Sequence, residues 1–351
     1  MQETGPSQRD GVAAQLRAGA RAYAAAAAER LIEHAGGGDE GPGYNTFRTW
    51  QAFLTQRVIE LAVAVEIDEP ALFAGEVHWS YAAFDANRMD RSLLADAIEH
   101  LAGALRHEMS SPAFALVHPA LERAAEVRPE DRVERDELCP ADPDHALALR
   151  FLEATLAAEP RRAIAVVLDA RQAGAGVATL FERVLMPAQA EMGRLWHAGQ
   201  IGVAEEHAAT ETVRTAMGVL WHTTPPSTST GRTVVIGAVS DDRHDIGVRA
   251  TAHLLELAGH RSVNLGGDVP VDEFPQAARD HAACAAVVSA TMGVHLPRAR
   301  ETVRAIRAQD PGVRVLVGGP AFTLAPDLWK KVGADAHAAS PSDAARLLSQ
   351  A

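Results

Sequence analysis

His244 lies in the segment Asp242-Arg243-His244-Asp245-Ile246-Gly247, and its imidazole can offer one ring nitrogen to a transition metal. Asp242, two residues earlier, can accept the other ring N–H and fix the tautomer. Gly247, lacking a side chain, lets the backbone come close to a ligand. Asp241, Asp242 and Asp245 would also suit a hydrolytic metal centre, but no second His accompanies them at ligand spacing. No enzyme site is therefore expected. The plain alternative is a polar loop.

The surrounding elements give the loop a place. Thr233 to Val239 is an apolar run that reads as a buried strand, and Val248 to Ala258 has the apolar spacing of a helix. The loop then sits at a strand's carboxyl end, where open α/β sheets bind ligands. Ser289-Ala290-Thr291 ends the run Ala285 to Ser289, and Gly318-Gly319 ends the run Val313 to Val317, on the same edge of the expected sheet. Upstream, residues 145–222 read as helical, with turns at Gly174-Ala175-Gly176 and Gly199 to Gly202, which predicts a four-helix bundle. Within it, Trp196 and His197 end one helix, and Glu206 and His207 open the next. Taken alone, these could be a core Trp and ordinary helix-end residues.

Together, Asp242-x-His244-x-x-Gly247, Ser289-x-Thr291 and Gly318-Gly319 resemble the cobalamin-binding module of methionine synthases, mutases and corrinoid proteins. The resemblance covers about residues 231–350, with Thr291 where that family often has Leu. It implies a flavodoxin-like, doubly wound parallel sheet, His244 as lower axial cobalt ligand and Asp242 as its hydrogen-bonded support. It also implies a nucleotide tail inserted beside Ser289, Thr291, Gly318 and Gly319, the glycines leaving the slot open. The Trp-x9-Glu-His spacing is similar to that of light-responsive adenosylcobalamin-dependent repressors. That resemblance implies that Trp196, Glu206 and His207 enclose a 5′-deoxyadenosyl group, Trp196 as its main cover, and that His197 is an upper cobalt ligand after photolysis.

The N-terminal region carries no winged-helix pattern. Five mostly helical segments are expected instead: residues 15–35, 47–66, 68–87, 90–109 and 112–125. Tyr44, Phe47, Trp50, Phe53, Phe73, Trp79, Tyr81 and Phe84 are eight of the 17 aromatics of the chain. They could form the core of a small helical domain, since Phe47, Trp50, Phe53 and Leu54 recur at helical spacing. They could also wall a pocket for a large planar ligand, with Arg48, Arg57, Arg88, His78 and His107 as carboxylate anchors. The domain order resembles photocobilins, which implies a second, non-covalent biliverdin chromophore, because neither Cys139 nor Cys284 falls in the aromatic cluster.

The expected organisation is a helical, aromatic-rich domain (1–127), a connector (128–144), the capping bundle (145–222), a linker (223–230) and the α/β module (231–351). Residues 1 to about 10 and Gly36 to Gly43 are expected to be flexible. A net charge of −13 argues against a nucleic-acid grip. Two cysteines, no signal peptide and no long apolar span suit a cytoplasmic chain without a membrane segment. The resulting expectation is a photoreceptor that binds small-molecule chromophores, forms a homo-oligomer and signals to a separate effector protein. Its rival is a methyl-carrying corrinoid protein of a methyltransferase system.

Overall fold

The computed structural model describes residues 6–34, 47–128 and 138–350. The chain divides into two compact units, Met1–Glu134 and Arg135–Ala351. The first consists of α1 (Pro6–His34), α2 (Phe47–Ile67), α3 (Pro70–Ala86), α4 (Ser92–Glu108) and α5 (Ser111–Ala125). Helix α1 starts well before the expected Gln15, because Pro6 suits a first helical turn and the Ala-rich run beyond it favours helix. Leu16, Leu54, Leu61, Phe73, Leu94 and Leu101 fill the interior. Each such side chain contributes roughly 1.5–3 kcal/mol on burial. The Gly36 to Gly43 segment and Tyr44 lie outside the described residues.

The second unit opens with α6 (Pro143–Leu156) and α7 (Pro160–Gln172). Asp142 caps α6, its carboxylate accepting from Asp144 N–H at 2.8 Å. A third rod follows: α8 (Val177–Thr179) runs through a π-helical turn, Leu180–Leu185, into α9 (Met186–His197). Helix α10 (Val203–His222) is the fourth. Phe151, Val167, Phe181, Leu185, Met217 and Leu220 form a core that continues into Ala250 and Leu254 of the next helix.

That helix belongs to the α/β part: β1 (Thr233–Ala238), α11 (Ile246–Leu257), β2 (Arg261–Asn264), α12 (Glu273–Asp280), β3 (Ala285–Ser289), α13 (Leu296–Gln309), β4 (Arg314–Gly318), α14 (Leu328–Lys331), β5 (Ala336–Ala338) and α15 (Pro341–Ser349). Single 3-10 turns, Gly293–His295 and Pro320–Thr323, follow β3 and β4. All strands pair in parallel in the order β2-β1-β3-β4-β5. The strand order reverses between β1 and β3, so their outgoing loops part and leave a crevice above the carboxyl ends. This helical cap over a parallel sheet is the expected fold class.

The segment between bundle and sheet is stitched down. Ser227 N–H donates to the Leu257 carbonyl and Thr230 N–H to the Gly259 carbonyl, each at 2.9 Å. Gly259 has φ +88°, and a Cβ there would stand 2.2 Å from the Thr228 oxygen. Among the described residues, no helix is long and apolar enough to cross a membrane.

Candidate functional site

A cavity of about 1000 Å³ lies between the bundle and the carboxyl edge of the sheet. Its upper wall comes from α9 and α10, and its lower wall from the loops after β1, β3 and β4. It also descends beside the sheet: Ile236 and Val287 lie mid-strand, Gly247 and Thr251 are on α11, and Pro341 and Ala344 are on α15, yet all line it. The result is a chamber with an extension below it, beside the sheet.

His244 stands at the junction of chamber and slot. Its Nδ1 is 2.7 Å from Asp242 Oδ1, which also accepts the His244 backbone N–H at 3.1 Å. Asp242 is fully buried, and its Oδ2 accepts from Thr291 N–H at 2.7 Å and faces His295 Nδ1 at 3.3 Å. Burial alone would raise the Asp242 carboxyl, but the donors from His244 and His295 outweigh it and hold the group well below the usual carboxylate range. The same hydrogen bond raises the His244 imidazole above its ordinary value against the effect of burial. With Nδ1 committed, Nε2 is the nitrogen left for a ligand. Among the described residues, no group of three His, Cys, Asp or Glu could hold an ion by itself. His244 could thus give one nitrogen donor to a metal held mainly by a larger group of its own.

The glycines divide into two kinds. Gly247 has nothing within 4 Å of a hypothetical Cβ, so its missing side chain leaves room in the slot. Gly319 has φ +95°, and a Cβ would stand 2.3 Å from the Ala290 carbonyl oxygen; at Gly318 it would be 3.3 Å from the Ala338 oxygen. Gly319 is thus required by its left-handed backbone and by the close Ala290 carbonyl, whereas at Gly318 a side chain would press on the Ala338 carbonyl; both glycines also line the cavity. Thr291, which departs from the family's Leu, contributes its backbone N–H to Asp242.

The upper wall brings Trp196, Glu206 and His207 to one cavity. Trp196 is 48% exposed and forms part of the chamber wall. Two residues without a sequence signature join them. Gln189 Nε2 donates to Thr210 Oγ1 at 2.8 Å, and Thr210 Oγ1 donates to Glu206 Oε1 at 2.7 Å. Their spacing was legible in principle, because Gln189 and Trp196 are seven apart on α9 and Glu206 and Thr210 four apart on α10. Arg214, one further turn along, donates from Nη2 to Asp245 Oδ1 at 2.6 Å and joins the bundle to the His244 loop.

The region 232–347 matches a family model described as a B12 binding domain, and 147–220 matches a second model of the same description. Trimethylamine corrinoid protein 1 of Methanosarcina acetivorans is 30% identical over 185 residues, covering 51% of this chain and 84% of the relative. The chain belongs to the B12-binding corrinoid protein family. Dimethylamine corrinoid protein 1 of Methanosarcina mazei is 29% identical over 197 residues, 55% of this chain and 89% of the relative. The monomethylamine corrinoid protein of Methanosarcina barkeri has the same fold over 59% of this chain and 99% of its own, with a TM-score of 0.52 at 19% identity. Neither B12 model reaches α1–α5.

This kinship corrects the photoreceptor expectation. Relatives of this chain are named for methylamines, and the light-sensing reading, with its chromophore partners, is set aside. The Trp-x9-Glu-His spacing that suggested it lies on a helix hairpin whose Trp196, Glu206 and His207 line the chamber. His197, expected as an upper cobalt ligand, is not among the residues lining the cavity, and its Nε2 is buried.

The biliverdin expectation falls on packing. Trp50, Tyr81 and Phe84 are buried, and Trp50, Phe53 and Phe84 meet edge to face or tilted at 5.8–6.3 Å, filling one another's space as a helical core does. Arg57, an expected anchor, is already bound to Glu60 and Ser80 and lies over the Phe53 ring. Arg48 and Arg88 are exposed, as is Trp79; Phe47 and His78 are half-buried, and His107 is exposed.

Proposed function

We propose that this chain is a methyl carrier, holding a corrinoid whose methyl group is exchanged with methyltransferases of a methylamine-type system. The observation that carries the reading is the Asp242–His244 pair at the mouth of a slot suited to a nucleotide tail. The corrinoid, when bound, supplies a cobalt centre that can accept and give up a methyl group. His244 would offer Nε2 as the lower ligand. Asp242, held by Thr291 N–H, would keep the ring in register. Gly247, Ser289, Thr291, Gly318 and Gly319 would border the tail. Trp196, Gln189, Glu206, His207 and Thr210 would border the upper face and keep bulk water from it.

In this reading the chain has no catalytic step of its own, and the separate methyltransferases perform each transfer. The group carried on the corrinoid would be methyl, where the resemblance to the repressors implied adenosyl. The test loads the full chain with methylcobalamin or adenosylcobalamin in darkness and supplies a methylamine-system methyltransferase pair with a thiol acceptor. Methyl transfer to the thiol in the dark is expected. Retention of adenosylcobalamin with no methyl exchange would sink the reading. His244→Ala should lower corrinoid affinity at least about tenfold, as loss of a metal-site interaction typically does; unchanged retention on gel filtration would remove His244 from the site.

A further inference from the structure

A second opening in the same unit shares no lining residue with the chamber. It is a groove of about 420 Å³ between the ends of α10 and α11 and the segment that joins bundle to sheet. Trp221, Glu256, Leu257 and His260 are among its walls. The Trp221 ring stacks on His253, centroids 4.9 Å apart and planes at 29°, and its indole N–H donates to the Glu256 carboxylate. Burial raises the Glu256 carboxyl against that hydrogen bond. A cation beside Glu256 would offset the cost of keeping its charge from water. Two helix C-termini add partial negative charge here. Helix α11 has no basic residue in its last turn, and α10 has only His222.

His260 supplies a second acceptor. It is 4% exposed, and its Nδ1 lies 3.0 Å from Thr230 Oγ1. The Thr230 hydroxyl donates to the Gly259 carbonyl at 3.2 Å, so the proton between Thr230 and His260 belongs to Nδ1. Nε2 is then a bare lone pair, and among the described residues it has no hydrogen-bond partner. The nearby arginines are engaged elsewhere: Arg232 Nη1 donates to the Leu348 carbonyl at 2.6 Å, and Arg261 Nη2 lies 3.5 Å from His281 Nδ1.

We propose that this groove binds a primary alkylammonium. Its N–H donors match the Glu256 carboxylate and His260 Nε2, its charge sits beside the Trp221 ring, and its alkyl chain lies against Leu257. An anion would face Glu256 and both helix C-termini. The inference goes beyond the carrier reading and does not depend on it.

The test labels the five tryptophans of the full chain with 5-fluorotryptophan and follows fluorine magnetic resonance, with Trp221→Phe identifying the Trp221 signal. Propylammonium should shift that signal saturably, beyond any effect of equal sodium chloride, and leave the Trp196 signal of the chamber unmoved. Glu256→Gln keeps an acceptor for the indole and removes the charge. It should weaken binding at least about tenfold, the loss of one hydrogen bond to a charged group. Tetramethylammonium, a cation without N–H, should bind more weakly than propylammonium. No saturable Trp221 shift, or the same shift with sodium chloride, would overturn the site. Equal affinity in Glu256→Gln, equal affinity for tetramethylammonium, or saturable binding of inorganic phosphate instead would overturn the assigned ligand.

Discussion

At the scale of single residues, the two kinds of glycine give opposite forecasts. Gly319→Ala forces a side chain into a left-handed backbone and against the Ala290 carbonyl. It should cost about 2–4 kcal/mol of stability, seen as a fall in the denaturation midpoint, with corrinoid loading lost in parallel. Gly247→Ala meets open space near the start of α11 and should leave that midpoint unchanged or raise it by up to about 1 kcal/mol. Its effect should appear in loading alone, because the new methyl group enters the slot; equal loading of Gly247→Ala and wild type would show that no ligand passes there. His244 and Asp242 were legible from two residue types at a spacing of two. His295 was not, because it reaches Asp242 through a turn from another strand, and no spacing along the chain reports that contact.

Elements carry charge in ways that periodicity does not announce. On α2, burial pushes the Glu60 carboxyl up to about 7, with Arg57 pulling it down and Glu76 of α3 pushing it further up. The folded chain therefore binds this proton more tightly than the unfolded chain. The stability that this proton lends is present in acid and lost as pH rises from about 4.5 through 7, about 3 kcal/mol in all. Glu60→Gln should flatten that part of the stability–pH curve, measured by urea unfolding at several pH values; an unchanged slope would contradict the burial argument. In the second unit, Glu182 of the π-helical turn accepts the Ser342 backbone N–H at 2.6 Å and ties the bundle to the start of α15. Glu182→Ala should cost about 1–3 kcal/mol by leaving that N–H without its charged acceptor. The helices and strands themselves were readable, since long apolar periodicity decides them. Whether the aromatic face of α2 and α3 meets a ligand or other helices was not, because both uses demand the same residues at the same spacing.

For the molecule as a whole, every residue lining the chamber lies in the second unit. Residues 135–351 alone should load corrinoid as tightly as the full chain, checked by absorbance after gel filtration; a large loss would give α1–α5 a direct part in retention. The α/β region was legible because three strand ends bear signatures on one edge of one sheet. The likeness to corrinoid proteins named for methylamines was not, because the bundle's Trp, Glu and His mark a wall without naming the molecule that approaches it. The π-helical turn between Leu180 and Leu185 has a further consequence for that wall. A π turn is an α-helix with one residue too many, and each residue turns a helix by about 100°. Removing one residue there, a change that sequence comparison would score as trivial, would swing Gln189 and Trp196 together to another compass bearing. The rod would stay intact while its address changed.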